Sequence, residues 1–243
     1  MFSNLFGAVG FLTILPVRSR INEFTLVAFP LVGLLIGASV GYLLMLMGQV
    51  MHPLAASAIA VGVDGALTGL LHLDALADSA DGLIPHLTPQ RRLEVMQDPR
   101  TGAFGVAVIV IVELSRFAAM STPFRPVIAI GVCYGFSRSL MALGILCTPS
   151  AKENSILVDL FGDITRRARN TIVLSVFAQL VILIGLGWLE VGTKALVGFA
   201  FGTIIFLLVL FRSKRAINGS TGDVIGAGGM VGEVAFLLSV FAA

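Results

Sequence analysis

The chain has 243 residues, of which 57% are hydrophobic and only 12% are charged. Soluble domains carry about 25% charged residues, so this composition excludes an ordinary soluble domain and indicates an integral membrane protein. The net charge of +2 is too small to indicate a nucleic-acid partner. We therefore predict one membrane-embedded domain, 1–243, which is an all-α polytopic helix bundle of six to seven transmembrane helices with cytoplasmic amphipathic segments.

The N-terminal part contains a short apolar segment and the first firm span. Residues 1–17 are apolar but include glycine and proline, which favours an interfacial or re-entrant segment. The first span is predicted at 26–51, where Gly33, Gly37 and Gly41 recur every four residues. Such a stripe of small residues lets a second helix approach closely in lipid.

The second predicted span, 54–71, leads into an acidic stretch. Asp74, Asp78 and Asp81 follow it at spacings that put all three on one stripe of a helix. Like charges this close raise one another's pKa unless a cation neutralises them. Mg²⁺ binds carboxylates together with substrate phosphates, so the stripe predicts a magnesium site; the alternative is a solvated helix end. His72 lies on the opposite side of this helix, and we interpret it as an interfacial residue.

Five further spans follow, and ionisable residues lie inside some of them. The spans are predicted at 102–120, 127–147, 171–189, 195–211 and 224–241. Ionisable residues at membrane depth need partners. Glu113 and Arg116 are three residues apart and can pair with each other. Asp64, in the second span, either extends the metal site or pairs with Arg116 or Arg138.

The distribution of basic residues predicts the topology. Alternating spans put 1–25, 72–101, 148–170 and 212–223 on one side. Twelve of the sixteen lysines and arginines lie there, namely Arg18, Arg20, Arg91, Arg92, Arg100, Lys152, Arg166, Arg167, Arg169, Arg212, Lys214 and Arg215. The other side carries Arg125 and Lys194. The positive-inside rule makes the richer side cytoplasmic, and the acidic stretch with it.

The predicted cytoplasmic segments also carry groups suited to phosphate. Arginines surround the acidic stretch, and two glycine-rich turns, 102–105 and 219–223, open helices. N–H groups at a helix N-terminus attract phosphate, although glycine is also an ordinary helix terminus. Metal, arginine and amide donors together are what phosphoryl-type transfer requires, because its transition state spreads charge over oxygens.

These stretches together resemble the cobalamin synthase family, also called adenosylcobinamide-GDP ribazoletransferase. The similarity is carried by residues 67–82, 91–105 and 219–227, with shorter matches at 11–17 and 29–33, all in the family's order. There are departures from the family pattern. Leu70, Ala75 and Asn218 stand where glycine is usual, and Gln97 and Pro99 stand where lysine and serine are usual.

The resemblance implies a Mg²⁺-dependent transferase embedded in the lipid bilayer of the cytoplasmic (inner) membrane, with its active face toward the cytoplasm. It implies adenosylcobinamide-GDP and α-ribazole, or α-ribazole 5′-phosphate, as substrates. A ribose hydroxyl attacks the corrinoid-side phosphorus, GMP leaves, and adenosylcobalamin or its 5′-phosphate results. The oligomeric state is left open.

Within this framework the polar residues receive roles. The expected Mg²⁺ ligands are Asp74, Asp78, Asp81 and Asp223. The expected catalytic residues are Asp78, Asp81 and Arg100, with Asp81 as the alternative acceptor of the hydroxyl's proton and Arg100 on the diphosphate. The expected substrate-binding residues are Arg91, Arg92, Gly102, Gly105, Gly219, Thr221 and Gly222.

Two other functions fit parts of the pattern. A membrane CDP-alcohol phosphotransferase also uses an acid-rich stripe, but its motif has an arginine after the first acids that residues 78–82 lack. An ion-coupled transporter would use ionisable residues inside the spans, here Asp64, Glu113, Arg116, Arg138 and Glu233. The acids of this chain concentrate on one face rather than at the midplane, which argues against transport.

Overall fold

The computed structural model describes residues 2–17, 19–122, 127–152, 156–162 and 164–241. Arg18 and Arg125, which entered the predicted charge bias, lie outside these ranges. The described residues form α1 Phe2–Leu12, a 3₁₀ helix Glu23–Ala28, α2 Phe29–Val50, α3 Pro53–Thr68, α4 Leu71–Leu83, α5 Pro89–Val95, α6 Ala103–Met120, α7 Val127–Cys147, α8 Ile156–Phe161, α9 Arg166–Val191, α10 Thr193–Ile217 and α11 Gly222–Phe241.

Among the described residues, six segments are long and apolar enough to cross a membrane, which confirms the predicted all-α membrane bundle. They are Glu23–Val50, α6, α7, α9, α10 and α11. The most apolar window of α7 is 83% buried, whereas that of α9 is 22% buried. Helix α7 is therefore the centre of the bundle, and α9 turns most of its surface toward lipid.

The glycine stripe of α2 packs against α7, as its spacing predicts. A Cβ atom at Gly33 would lie 2.6 Å from the carbonyl oxygen of Tyr134, and one at Gly37 would lie 2.6 Å from that of Ile130. Any side chain at these two positions would therefore push the helices apart. The stripe lets the two backbones touch, which is the close approach that small residues permit in lipid.

The chain bends sharply where the second span was predicted to continue to residue 71. Helix α4 runs at 87° to α3, and the break consists of Gly69 (φ +62°) and Leu70 (φ +58°), both left-handed. Leu70 N–H donates to the Gly65 carbonyl and Gly69 N–H to that of Ala66, which is the Schellman pattern of a helix end. The acidic stretch therefore occupies a separate helix.

Helix α3 still carries the chain back across the bundle. The N–H of Ile14 donates to the carbonyl of Leu67 at 2.9 Å, so the end of α3 meets the N-terminal segment that precedes α2. One cavity is lined by residues of that segment and of the starts of α2, α4 and α11. We call this end of the bundle the acidic end. With the bent pair of α3 and α4 counted as one span, seven segments of the described chain are long and apolar enough to cross, and the aspartates of α4 lie beyond the bend, at the acidic end.

Candidate active site

Helix α4 presents its three aspartates at graded depth. Asp74 is exposed and Asp78 is half-buried, whereas Asp81 is only 8% exposed. The spacing of four and three residues puts them on one stripe, as the sequence predicts. The three carboxylates therefore lie in different environments, from the exposed surface at Asp74 to the buried interior at Asp81.

Asp78 stands at the centre of a group of like charges. Burial, and then the negative charges of Asp74, Asp223 and Asp81, raise the pKa of Asp78 to about 6, while Lys152 acts in the opposite direction. Asp223, at the start of α11, thus comes close to α4 although it lies far away in the sequence. These carboxylates lack a full set of positive partners, which is the electrostatic condition of a cation site.

Asp81 holds the start of α6. Its carboxylate accepts hydrogen bonds from the N–H of Gly102 at 2.6 Å and of Gly105 at 2.9 Å. Both amides are at the N-terminus of α6, where donors have no partner within the helix. The N–H groups of Gly102 and Gly105 therefore have an acceptor within the chain, and Asp81 caps α6. The phosphate contact of the two glycines and the metal contact of Asp81 stay predictions.

Two arginines close the other end of α4. Arg92 donates to the carbonyl oxygens of Gly82 (2.7 Å), Leu83 (2.9 Å) and Leu87 (3.0 Å). Arg212, from α10, donates to Leu83 as well, at 2.7 Å. Positive groups at a helix C-terminus satisfy its last carbonyls and its dipole. Arg92 is buried and its guanidinium group is occupied by backbone carbonyls, and its binding of substrate stays a prediction.

Arg91 and Arg100 lie on the surface in local ion pairs. Arg91 contacts Glu94 at 2.8 Å, and both side chains are well exposed. Arg100 donates to both carboxylate oxygens of Asp98, at 2.8 and 2.6 Å, and these hydrogen bonds hold the pKa of Asp98 well below its usual range. The Arg100 side chain is 86% exposed, so it remains accessible to a charged ligand.

The late glycine turn is joined to the segment that follows α7. Ser220 N–H donates to the Pro149 carbonyl, and Ala151 N–H donates to the Ser220 carbonyl, both at 2.9 Å. A Cβ atom at Gly219 would lie 2.8 Å from Ala151 N, so this glycine serves a close backbone approach. Thr221 caps α11 by accepting from the Val224 N–H at 3.3 Å. Gly222, in contrast, is exposed.

A cavity of about 450 Å³ opens beside the aspartates. Its walls are mostly apolar, and a few polar groups join them. The lining residues are Phe11, Leu12, Phe29, Leu71, His72, Ala75, Gln97, Met141, Ile145, Lys152, Leu157, Thr221, Gly222, Asp223, Ile225 and Gly226. The volume lies in the range of small-molecule sites, about 300–1,000 Å³. Sequence analysis did not identify Lys152 or Gln97 as site residues, because nothing local marks either of them.

A second group of charges lies deeper, inside the bundle. Arg116 pairs with Asp64, with Glu113 at 3.0 Å and with Glu233 at 3.6 Å, and Arg138 also pairs with Glu233. We call these five residues the buried ion cluster. It resolves the open alternative for Asp64, which pairs with Arg116. The acids proposed for a transport pathway are thus joined in a closed network.

His72 occupies a place that the sequence did not predict. It is 7% exposed rather than interfacial. It lines both the large cavity and a space of about 10 Å³ beside Asp64, Arg116, Arg138 and Glu233. His72 lies on the side of α4 opposite Asp74, as predicted. That side faces the bundle, however, because α11 packs there.

The donor set suits Mg²⁺ without forming a closed cage. In the part of the chain that the structure describes, no three acidic, histidine or cysteine side chains are gathered tightly enough to hold a metal ion. Mg²⁺ commonly binds through one or two carboxylates, water and substrate phosphates. The like-charged carboxylates of Asp74, Asp78 and Asp223 fit that mode, and their mutual repulsion raises the pKa of Asp78.

Comparison with known proteins gives matches to one family over nearly the whole chain. A family model described as cobalamin-5-phosphate synthase matches residues 4–242. The adenosylcobinamide-GDP ribazoletransferase of Desulfitobacterium hafniense is 32% identical over 98% of this chain and 96% of its own length. The protein of that name in Stutzerimonas stutzeri is 34% identical over 90% of each chain. No solved structure was found to match. The chain, with its acidic helix α4 and its multi-pass bundle, belongs to the cobalamin-5-phosphate synthase family.

Proposed function

We propose that this protein joins adenosylcobinamide-GDP to α-ribazole, or to α-ribazole 5′-phosphate, and releases GMP. The observation that carries the proposal is the meeting of Asp74, Asp78 and Asp223 beside an apolar cavity, in a chain whose relatives bear the name ribazoletransferase. The ribose oxygen forms a bond to the corrinoid-side phosphorus. The bond from that phosphorus to the GMP oxygen breaks, and the hydroxyl gives up its proton.

One or two of the carboxylates of Asp74, Asp78 and Asp223 would hold Mg²⁺, together with water and the diphosphate of the donor. The ion would supply neutralisation of the charge that develops on the phosphate oxygens. Asp223 also lines the cavity, which supports a hydrogen bond from the attacking hydroxyl to its carboxylate. Arg100 is accessible and can exchange Asp98 for a phosphate oxygen, since guanidinium groups bind both anions in the same way.

Other residues act by fixing the helices that carry these groups. Asp81 ties α4 to the start of α6, and Arg92 and Arg212 satisfy the last carbonyls of α4. Preorganised charges stabilise a transition state without having to rearrange when the charge develops. We therefore assign Asp81 and Arg92 positioning roles rather than contacts with substrate.

We also propose that the acidic end faces the cytoplasm from the inner membrane. The excess of lysine and arginine in the segments at this end supports that orientation. A Lys214→Cys variant in a Cys147→Ser background tests it with a membrane-impermeant maleimide. We expect labelling in inverted membrane vesicles and none in intact spheroplasts; the reverse pattern would place the site on the outer side.

The central test is GMP release from adenosylcobinamide-GDP by the purified protein. We expect release only when both α-ribazole and Mg²⁺ are present, and loss of release on addition of a chelator. A CDP-lipid donor serves as the control substrate, because a CDP-alcohol phosphotransferase would consume it. CMP release from that donor, with no GMP from the corrinoid, would replace the present proposal.

A further inference from the structure

We infer that the 450 Å³ cavity binds the flat, apolar base of the nucleoside acceptor, with its ribose toward Asp223. The inference rests on the proposed function, because α-ribazole is the substrate that carries such a base, a dimethylated benzimidazole. The donor would then approach from outside the cavity, where Asp74 and Asp78 lie. Neither the family match nor the names of the relatives assigns this cavity to either substrate.

The cavity walls suit an aromatic hydrocarbon surface. Phe11 and Phe29 lie side by side there, with ring centres 5.6 Å apart and planes inclined by 29°. Met141 and Ile145, both on α7, add further apolar surface. Aromatic rings stack favourably on one another, and thioether groups adapt to aromatic edges. A planar bicyclic base therefore finds apolar and aromatic surface in this cavity.

The polar groups of the cavity lie close to one another. Thr221 and Asp223 are 3.5 Å apart at the start of α11, and Lys152 is the principal positive charge acting on Asp223. The cavity thus has an apolar part and a polar part. A nucleoside is divided in the same way, because its base is apolar and its ribose hydroxyls are polar. If the base occupies the apolar part, the hydroxyls reach Asp223, which lies beside the aspartates of α4.

The other parts of the two substrates fit this cavity less well. Guanine presents several donors and acceptors along its edge, and apolar walls would leave these groups without hydrogen-bond partners, which disfavours binding. An adenosylated corrin ring is far larger than a drug-sized ligand, so it exceeds a cavity of 450 Å³. Benzimidazole has no hydrogen-bonding group on its methylated edge. It therefore fits these apolar walls better than guanine or the corrin ring does.

The test places a bulky side chain in the cavity and measures the KM of each substrate. Ile145→Trp adds an indole to the wall, and Ile204→Trp makes the same change on α10, where the side chain is 52% exposed on the outer surface of the bundle. We expect Ile145→Trp to raise KM for α-ribazole at least tenfold, with KM for adenosylcobinamide-GDP changed less than twofold. Ile204→Trp should change neither value.

Direct binding separates this inference from the proposed function. Calorimetric titration of the wild-type protein with α-ribazole alone should show binding that Ile145→Trp weakens at least tenfold and Ile204→Trp preserves. A larger KM for adenosylcobinamide-GDP in Ile145→Trp, or an unchanged KM for α-ribazole in the folded variant, would overturn the inference. Absence of GMP release by the wild-type protein would instead overturn the proposed function.

A milder variant covers the case in which Ile145→Trp does not fold. The Cβ atom of a Gly222→Ala variant would lie 3.6 Å from Leu157, an ordinary contact. It adds one methyl group to the cavity wall, and we expect a rise of about threefold in KM for α-ribazole alone. In the wild-type protein, the nucleoside of unmethylated benzimidazole should bind about tenfold more weakly, because two buried methyl groups are missing. Equal binding of the two nucleosides would contradict an apolar base site.

Discussion

The molecule contains two groups of acids, and they differ in what neutralises them. In the buried ion cluster, Arg116 and Arg138 pair with every acid, and their side chains are almost completely buried. At the acidic end, the negative charges of Asp74 and Asp223 act on Asp78, and Lys152 is a cation that acts on both Asp78 and Asp223.

The difference indicates which group is structural and which is reactive. A charge removed from water must be paired within the protein or it destabilises the fold. In the buried ion cluster each of the three acids pairs with Arg116 or Arg138, so the protein itself supplies the cations. The acidic end can remain short of positive charge because it is partly exposed, and it can therefore accept a cation and a phosphate from outside.

The largest expected effect comes from breaking the buried ion cluster. Arg116→Met leaves Asp64, Glu113 and part of Glu233 without their cation, and we expect a loss of about 3–5 kcal/mol of stability. Thermal or denaturant unfolding in detergent measures it. Leu174→Ala, at a lipid-facing side chain that is 69% exposed, is the control and should unfold like wild type. A loss below about 1 kcal/mol in Arg116→Met would show that the cluster is not a structural pairing.

The opposite behaviour is expected at the acidic end. Asp78→Asn removes one of several like charges, so stability should stay the same or rise, whereas GMP release should fall at least about 100-fold, the scale of losing an electrostatic contact to a transition state. Unfolding and GMP release are measured on the same preparation. A variant that is both active and less stable than wild type would assign Asp78 a structural role.

Asp81 should behave as a helix cap. Asp81→Ala leaves the N–H groups of Gly102 and Gly105 without their acceptor, and we expect a loss of about 0.5–2 kcal/mol of stability. The Mg²⁺ concentration for half-maximal rate should change less than about twofold, because we propose that other residues hold the ion. Thr165→Ala removes the cap of α9, where Thr165 accepts from the Ala168 N–H, and should lose similar stability without loss of rate. A large shift in Mg²⁺ requirement in Asp81→Ala would restore it to the metal site.

The pH dependence of stability sharpens the contrast further. Because the pKa of Asp78 is raised from 3.8 to about 6, the folded protein holds this proton more tightly than the unfolded chain does. Its contribution is therefore fully present below pH 3.8 and is lost as the pH rises through about 6. With chelator present, the stability difference between Asp78→Asn and wild type should widen over this range. A difference that does not vary with pH would contradict the crowding of carboxylates around Asp78.

The smallest effect is expected at the surface. Arg91 and Glu94 form an exposed pair, and such pairs contribute about 0–1 kcal/mol. Arg91→Ala should therefore unfold within about 0.5 kcal/mol of wild type. A substantially larger loss would mean that this ion pair belongs with the structural charges of the buried ion cluster.

The general architecture could be predicted from the sequence because it depends on local composition. Long apolar runs mark the spans, and the spacing of Gly33, Gly37 and Gly41 marks a close helix contact, which α7 supplies. The three aspartates of α4 were placed on one stripe by helical geometry alone. The pairing of Asp64 stayed open, since two arginines were equally available along the sequence.

The roles of Asp81, Arg92 and His72 could not be predicted, because each depends on a distant backbone segment. Asp81 is a cap only because α6 begins beside it, and Arg92 is buried only because the chain turns back over the end of α4. The left-handed conformation of Leu70 left one signal, since the resembling family usually has glycine there, a residue that adopts this conformation readily. Contacts made across the fold leave no mark in the spacing of neighbouring residues.

Helix α4 is anchored at both of its ends, and this affects how substrates can enter the site and how products can leave it. The Schellman turn at Gly69–Leu70 fixes its start, and Arg92, Arg212 and the Asp81 link to α6 fix its far end. We expect a helix held in this way to stay in place rather than to move toward its substrates. Entry and exit of a bulky corrinoid must therefore depend on the openings between neighbouring elements.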